Sequence, residues 1–448
     1  MNNNKQIKVI RDKLNTVISD MAEHTELYAK NPEKDFTRNR KLNFETLTKF
    51  ILSMQGGSLN REIYKYFQSD DIASVSVFVQ QRDKLSSDAF KVLFDHFNAV
   101  CNDNKLLNNK YRLLAVDGSD LNIAMNKESD SYVKPQRTKK NGELSKGFNQ
   151  LHLNALYDIL NKVYVNAIVQ PKPLANERKA LIDMIKNTEY GQPTIIVADR
   201  GYPSWNLFAH FKHKENLEYL FRVKNNGSRI ARDLPMKEFD IDIQTTITTN
   251  TGLQNDTNYT FIQVQKNNMK KREYTGKTKF VEWDFGMFEK LNIRVVRFEI
   301  SSNTYETIFT SLPREEFSIS DIKKIYGMRW GIETSFRELK YSIGLVNFHA
   351  KREDFILQEI FAHLTMYNYC ERIMALVCVY QCKDRKHTYQ INYTMAMMIC
   401  MDYFNHKHKT ERLETLITRY ILPIREGRQD RRKMRAQIAV FFIYRVAA

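Results

Sequence analysis

Apolar residues recur at helical spacing through residues 1 to about 105, which predicts helices over 7–30, 44–54, 59–67 and 75–84, with a Gly56-Gly57 break between the second and third. Near Lys110 the texture becomes mixed. Strands are predicted at 112–116, 151–157, 163–170, 194–198 and 219–223, with helices at 175–187 and 205–212. That order fits a mixed sheet covered by helices. Residues 225–312 are rich in Thr, Val, Ile, Tyr and Phe with Asn-rich turns, as in NYTFIQVQ and IRVVRFEIS, and read as an antiparallel β insertion. Beyond Lys340 the helical pattern returns through about Tyr420. Its most apolar stretch, 355–380, carries Glu359, His363, Glu371 and Arg372, which suits a buried core helix and not a membrane span.

Two of the predicted strands, 112–116 and 194–198, are apolar on both faces, and each stops at an acid followed by a turn. Asp117 precedes Gly118 and Ser119; Asp199 precedes Arg200, Gly201 and Tyr202. A buried central strand has this form where it reaches the functional edge of a sheet. Helix caps and turns place Asp in the same way. Asp120 competes with Asp117 for the first position, and the strand-end placement favours Asp117.

The stretch YGMRWGIETSFRELK sets Tyr326, Arg329, Glu333 and Lys340 with two, three and six residues between successive members. At about 100° per residue these side chains share an arc of roughly 60°, while Ile325, Met328, Ile332, Phe336, Leu339 and Ile343 fill a neighbouring arc of about 80°. A polar row therefore borders a buried surface. Arg329, Glu333 and Arg337 also form an i, i+4 ladder of the kind found on solvated helices. A carboxylate that does metal chemistry needs others delivered to it from separate parts of the chain, and Asp117 and Asp199 are the candidates.

Two strand-end aspartates and a helical glutamate resemble the Asp-Asp-Glu triad of transposases with a ribonuclease-H-like core. The Tyr-x2-Arg-x3-Glu-x6-Lys run, together with VDGS and ADRGY, is similar to the bacterial insertion-sequence transposases of the type-four group, over most of the chain from about Lys110 to Arg445. The resemblance implies an α/β fold: a ribonuclease-H-like catalytic core with a mixed sheet, interrupted by an antiparallel β insertion, plus helical N-terminal and C-terminal regions. The step from Asp199 to Glu333, 333 − 199 = 134 residues, leaves room for that insertion. The expected division is a DNA-end-binding region at 1–105, the core at 110–224 and 313–350, the insertion at 225–312 and a helical region with a basic stretch at 351–448.

The implied activity is cut-and-paste DNA transposition: hydrolysis at the element's ends, then strand transfer by the freed 3′-OH, with a hairpin as one route. Asp117, Asp199 and Glu333 are the implied catalytic residues and the ligands of two Mg2+ ions, with Mn2+ as substitute. Tyr326, Arg329 and Lys340 are the implied DNA contacts. Arg200 and Trp330 are further candidates, and Trp283 and Tyr305 are candidates to hold a base turned out of the stack. The implied partners are the terminal inverted repeats and target DNA, with a homodimer when two ends are paired. In the N-terminal region the Gly-Gly break resembles a helix-turn-helix that presents Ser76, Gln80, Gln81 and Arg82 to a groove. A helical bundle that only packs on the core fits the same pattern.

Charge agrees with a polyanionic partner, since Lys plus Arg minus Asp plus Glu is 69 − 52 = +17 and the pI is near 9.4. Basic residues cluster at Lys134–Lys146, at Lys266–Lys279 and at Arg425–Arg435. The segment MNNNKQIKVIRDKL has no apolar signal region, which predicts a cytoplasmic, nucleoid-associated protein with no membrane partner. The five cysteines, Cys101, Cys370, Cys378, Cys382 and Cys400, read as reduced thiols. Zinc on Cys378, Cys382 and His387 lacks a fourth ligand at the usual spacing. The rival readings are a catalytically silent DNA-binding relative, which the intact triad opposes, and a metal-dependent nuclease that cuts without joining. A carboxylate-pair glycosidase has no use for so cationic a chain.

Overall fold

The computed structural model describes residues 3–38, 40–69, 73–135, 146–224, 231, 234–264, 281–381 and 387–424. Helices α1 (Asn3–Glu23), α2 (Phe44–Ser53), α3 (Leu59–Phe67), α4 (Val75–Arg82) and α5 (Ala89–Val100) come first. Three of them start where a short polar side chain accepts the first free amides: Asn43 takes the Thr46 N–H, Ser58 that of Arg61 and Ser74 that of Val77. There follow β1 (Arg112–Ile123), β2 (Tyr132–Val133), β3 (Phe148–Asp158), β4 (Val163–Pro171), α6 (Glu177–Lys186), β5 (Thr194–Ala198), α7 (Trp205–Lys212) and β6 (Leu217–Val223). Strand β3 runs antiparallel to β1 and β4, whereas β1 is parallel to β5 and β5 to β6.

The segment expected to be a β insertion contributes β7 (Phe239–Thr248), β8 (Tyr259–Phe261), β9 (Phe288–Ser301) and β10 (Thr304–Thr310). These strands continue the same ten-stranded sheet in the spatial order β6-β10-β9-β7-β8. Pairing is antiparallel from β6 through β10 and β9 to β7, but β8 lies parallel to β7. The chain then forms α8 (Ile319–Met328), α9 (Trp330–Glu338), a π-helical turn over Leu339–Ile343, α10 (Glu353–Met374), the short strand β11 (Tyr389–Ile391), α11 (Tyr393–Phe404), α12 (Thr410–Arg419) and β12 (Ile421–Pro423).

Alternation along the strands divides the core between two faces. Leu114, Val116, Ile196 and Ala198 pack with Leu181, Ile185, Leu207 and Phe208 of α6 and α7. Leu113, Ile195 and Val197 pack instead with Ile322 and Ile325 of α8. On that second face the remaining helices share one core with β3 and β4, in which Leu14, Phe94, Tyr157, Ile332, Ile360 and Met397 all belong to the same cluster. Helix α10 lies inside it, and among the described residues no helix is long and apolar enough to cross a membrane.

The structure corrects the reading of α4. Gln81 and Arg82 are buried, so they do not face a groove; Ser76 and Gln80 are exposed. Arg82 points inward because α10 offers it acceptors: Nε donates to Gln358 Oε1 at 2.9 Å, Nη1 to Glu359 Oε1 at 2.9 Å and Nη2 to the Phe355 carbonyl. Of the three basic clusters, Lys134 and Lys146 are described, while Arg137, Lys139, Lys140, the group within 266–279 and the group within 425–435 lie outside the described residues, as does Cys382. Cys101, Cys370, Cys378 and Cys400 are free thiols.

Candidate active site

Asp117 does not end its strand, contrary to the sequence expectation. β1 continues to Ile123, with Asp117 opposite Ala155 of β3. What ends at this level is the neighbour: β5 stops at Ala198, which pairs with Val116. From Asp117 onward β1 is therefore flanked by a strand on one side only. Asp199 follows directly on β5, one residue past that pair. By alternation Asp117 shares its face with Leu113 and Ala115, the face covered by α8 and α9. Asp199 reaches the same space, since the Tyr326 hydroxyl of α8 donates to its Oδ1 at 3.3 Å.

The polar run on α8 and α9 is not one straight helix. It breaks at Arg329, where Arg329 N–H bonds the Tyr326 carbonyl and Ile332 N–H bonds that of Arg329, both three residues back. Gly327 and Gly331 flank the break and weaken the helix there. The run then widens into the π-helical turn that carries Lys340 and ends at Gly344, whose φ of 101° favours glycine. The apolar stripe is nonetheless buried at Ile325, Ile332, Phe336, Leu339 and Ile343, with Met328 half-buried.

Arg329 is the hinge of the site. It is buried, its Nη2 donates to Glu333 Oε1 at 2.8 Å, and its Nη1 lies 4.0 Å from Asp117 Oδ2. Its guanidinium also sits 5.7 Å from the Tyr326 ring centroid and 5.9 Å from that of Trp330. One cation thus links the acid of β1 to the acid of α9. Lys340 reaches further along β1, where its ammonium donates to the Asp120 carbonyl at 2.8 Å. Trp330 and Arg200 are exposed beside this group. Trp283 is half-buried, donating to the Gly286 carbonyl and packing on Phe285, and Tyr305 is half-buried on β10.

Burial raises the Asp117 carboxyl to about 6; the Gly118 N–H and Arg329 offset part of the rise, while Glu333 and Glu177 add to it. Burial likewise lowers Lys340. Among the described residues no three His, Cys, Asp or Glu side chains are drawn close enough to form a metal cluster. The acids are instead held by Arg329, Tyr326 and Arg222. Their chemistry still fits a hard divalent ion: the donors are carboxylate oxygens, and one of them lacks sufficient positive charge to ionise at its ordinary value. Two buried polar atoms here, Tyr202 Oη and Arg329 Nε, have no hydrogen-bond partner among the described residues, as expected where a ligand or water completes the site.

Sequence reasoning missed Arg222 and Tyr202. Arg222 Nη1 lies 3.7 Å from Asp199 Oδ1, because Phe221 pairs with Ala198 and Arg222 follows it as Asp199 follows Ala198. Its basic position in the mainly apolar run LEYLFRV, where Glu218 is the other charged residue, was the available signal. Tyr202 is buried and electrostatically coupled to Glu177, Asp117, Arg329 and Asp199.

Residues 108–369 match the family described as "Transposase DDE domain". No curated protein matches the sequence. Among solved structures, piggyBac transposase in its cryo-EM synaptic complex with hairpin DNA is similar with a TM-score of 0.47 and 11% identity, over 91% of this chain and 82% of that one.

Proposed function

Because the chain belongs to the transposase DDE domain family over residues 108–369, we propose that it is an insertion-sequence transposase of the type-four group, with Asp117, Asp199 and Glu333 as its catalytic triad. The observation that carries this reading is the meeting of three distant segments: Asp117 on β1 just past its pairing with β5, Asp199 at the end of β5, and Glu333 tied through Arg329 to Asp117. The fold around them is a ribonuclease-H-like core, with β7–β10 as its insertion, and the helices at 1–105 recognise the terminal repeats. The basic balance of +17 suits binding of those repeats and of target DNA. Two ends must be paired, which calls for a homodimer on DNA.

The triad would hold two Mg2+ ions, or Mn2+ in their place, which supply Lewis-acid polarisation of the scissile phosphate. Water attacks that phosphodiester, the P–O3′ bond breaks and the leaving oxygen is protonated to the 3′-OH. The same hydroxyl then gives up its proton and attacks a second phosphodiester in line, on the opposite strand to form a hairpin or on target DNA; that strand's own P–O3′ bond breaks, and its 3′ oxygen leaves and is protonated. Arg329 and Lys340 bind phosphates by exchanging their present partners, Glu333 and the Asp120 carbonyl, for DNA; Tyr326 exchanges Asp199. Arg200 and Trp330 extend this DNA face.

A DNA-binding relative that does not cut is favoured by the absence of a tight acid cluster among the described residues. One experiment separates the two. Purified protein with Mg2+ is incubated with labelled DNA from its own element's end: nicking followed by joining supports transposition, nicking alone supports a nuclease, and binding without cleavage under Mg2+ or Mn2+ supports the silent relative. Glu333→Gln is expected to lower cleavage by at least about two orders of magnitude, the scale of lost transition-state stabilisation, with DNA affinity held within about twofold.

A further inference from the structure

A second polar group lies on the opposite face of β1, away from Arg329. His152 of β3 stands opposite Asp120 of β1 and is buried. Its ring is tethered at both ends: Nδ1 lies 2.5 Å from Asp120 Oδ1 and Nε2 lies 3.1 Å from Glu177 Oε1, at the first turn of α6. Lys172 donates to the same Asp120 oxygen at 2.7 Å. Burial opposes a charge on His152, but the two carboxylates outweigh it and raise its pKa. Two carboxylates, an imidazolium and an ammonium make this group neutral.

The tethered ring rests on Gly118. A Cβ added at Gly118 would stand 2.3 Å from His152 Nε2 and 2.9 Å from Glu177 Oε1, so no larger residue fits while the ring is in place. Gly118 is the residue whose N–H donates to Asp117 Oδ1 at 2.9 Å. Beyond Val116 this part of β1 has lost β5, and on the open side Lys340 supplies a donor to the Asp120 carbonyl. His152 presses on the strand at Gly118 from one face while Lys340 holds it at Asp120 by its open edge, and Asp117 directly precedes the first of these two grips.

We propose that His152, tethered by Asp120 and Glu177, is a positioning residue that fixes the Asp117 carboxylate by packing on the Gly118 backbone. The proposal rests on the transposase reading for its effect on catalysis, but the grip itself can be measured without it. His152→Ala removes the ring; Glu177→Ala, at a partly exposed helix start, removes one tether and leaves the fold's core untouched. Both are compared with wild type and Asp117→Asn for DNA affinity, melting temperature, Mg2+-dependent cleavage and hydrogen–deuterium exchange over residues 117–121.

The expected result is faster exchange over 117–121 in both variants and kcat for cleavage lowered roughly 10- to 100-fold in His152→Ala, as for a reacting group misplaced by about 1 Å, with DNA affinity within about twofold. Glu177→Gln, which keeps an acceptor for the ring, should bring exchange over 117–121 most of the way back from the Glu177→Ala level to that of the wild type. Wild-type exchange in both variants overturns the proposal, as does a cleavage loss no larger than the loss of folded protein. If the wild type itself does not cleave, the transposase reading fails, and the exchange measurement alone still decides whether His152 holds Asp117.

Discussion

Asp117 bears a charge that its surroundings disfavour. An acid whose folded pKa stands at about 6, against 3.8 ordinarily, keeps in the folded state a proton that the unfolded chain has released. Its contribution to stability is therefore full at low pH and is lost as pH rises through that window. In metal-free buffer, Asp117→Asn is expected to melt with the wild type near about pH 4 and above it by about 1–2 °C near about pH 8. Added Mg2+ should raise the melting point of the wild type and not that of the variant, because only the former gains a ligand; thermal melts across pH, with and without Mg2+, check both outcomes. The identity of this acid was legible as the end of a both-faces-apolar run. Its setting was not, because Gly118 and Ser119 read as a turn when β1 in fact continues and only its partner strand stops. Spacing paired Arg329 with Glu333 at i, i+4, but it could not show that the same guanidinium also faces Asp117 of β1.

Among the elements, α4 separates pattern from placement. Its existence was legible from apolar spacing, but whether Arg82 faced solvent or α10 depended on a partner 277 residues away. Burial opposes the Glu359 charge, yet Arg82 and His349 hold its pKa far below the ordinary value. Removing Arg82 leaves that carboxylate buried with half its partners. Arg82→Ala is therefore expected to lower unfolding free energy by roughly 3–5 kcal/mol in urea titrations. DNA affinity per folded molecule should not change, whereas a groove-reading Arg82 would have shown the reverse. Strand β5 and helix α7 match their predicted bounds because uniform apolarity and a Ser204 cap leave one solution each. The π-helical turn at Leu339–Ile343, from which Lys340 reaches the Asp120 carbonyl, was beyond any ideal-helix wheel, which assumes about 3.6 residues per turn throughout.

At the scale of the whole molecule, a balance of +17 makes DNA binding an ionic event. Filter binding or fluorescence anisotropy should show affinity falling by about three orders of magnitude between roughly 50 and 200 mM salt if six or so phosphates are neutralised. A flat salt response would remove DNA as the principal polyanion. The sheet's strand order carries a further consequence, concerning synthesis. Strand β6 must wait for β10, some 80 residues later, before its second edge is filled, and β9 and β7 join the sheet through β10. Such distant pairings form slowly compared with local helices. A nascent chain emerging from the ribosome can align Asp117 and Asp199 early, but Glu333 arrives only after the sheet's far half has been made, and α10 seals the core later still. An incomplete chain thus holds two of these acids and not Glu333, so truncated or stalled products lack the proposed triad.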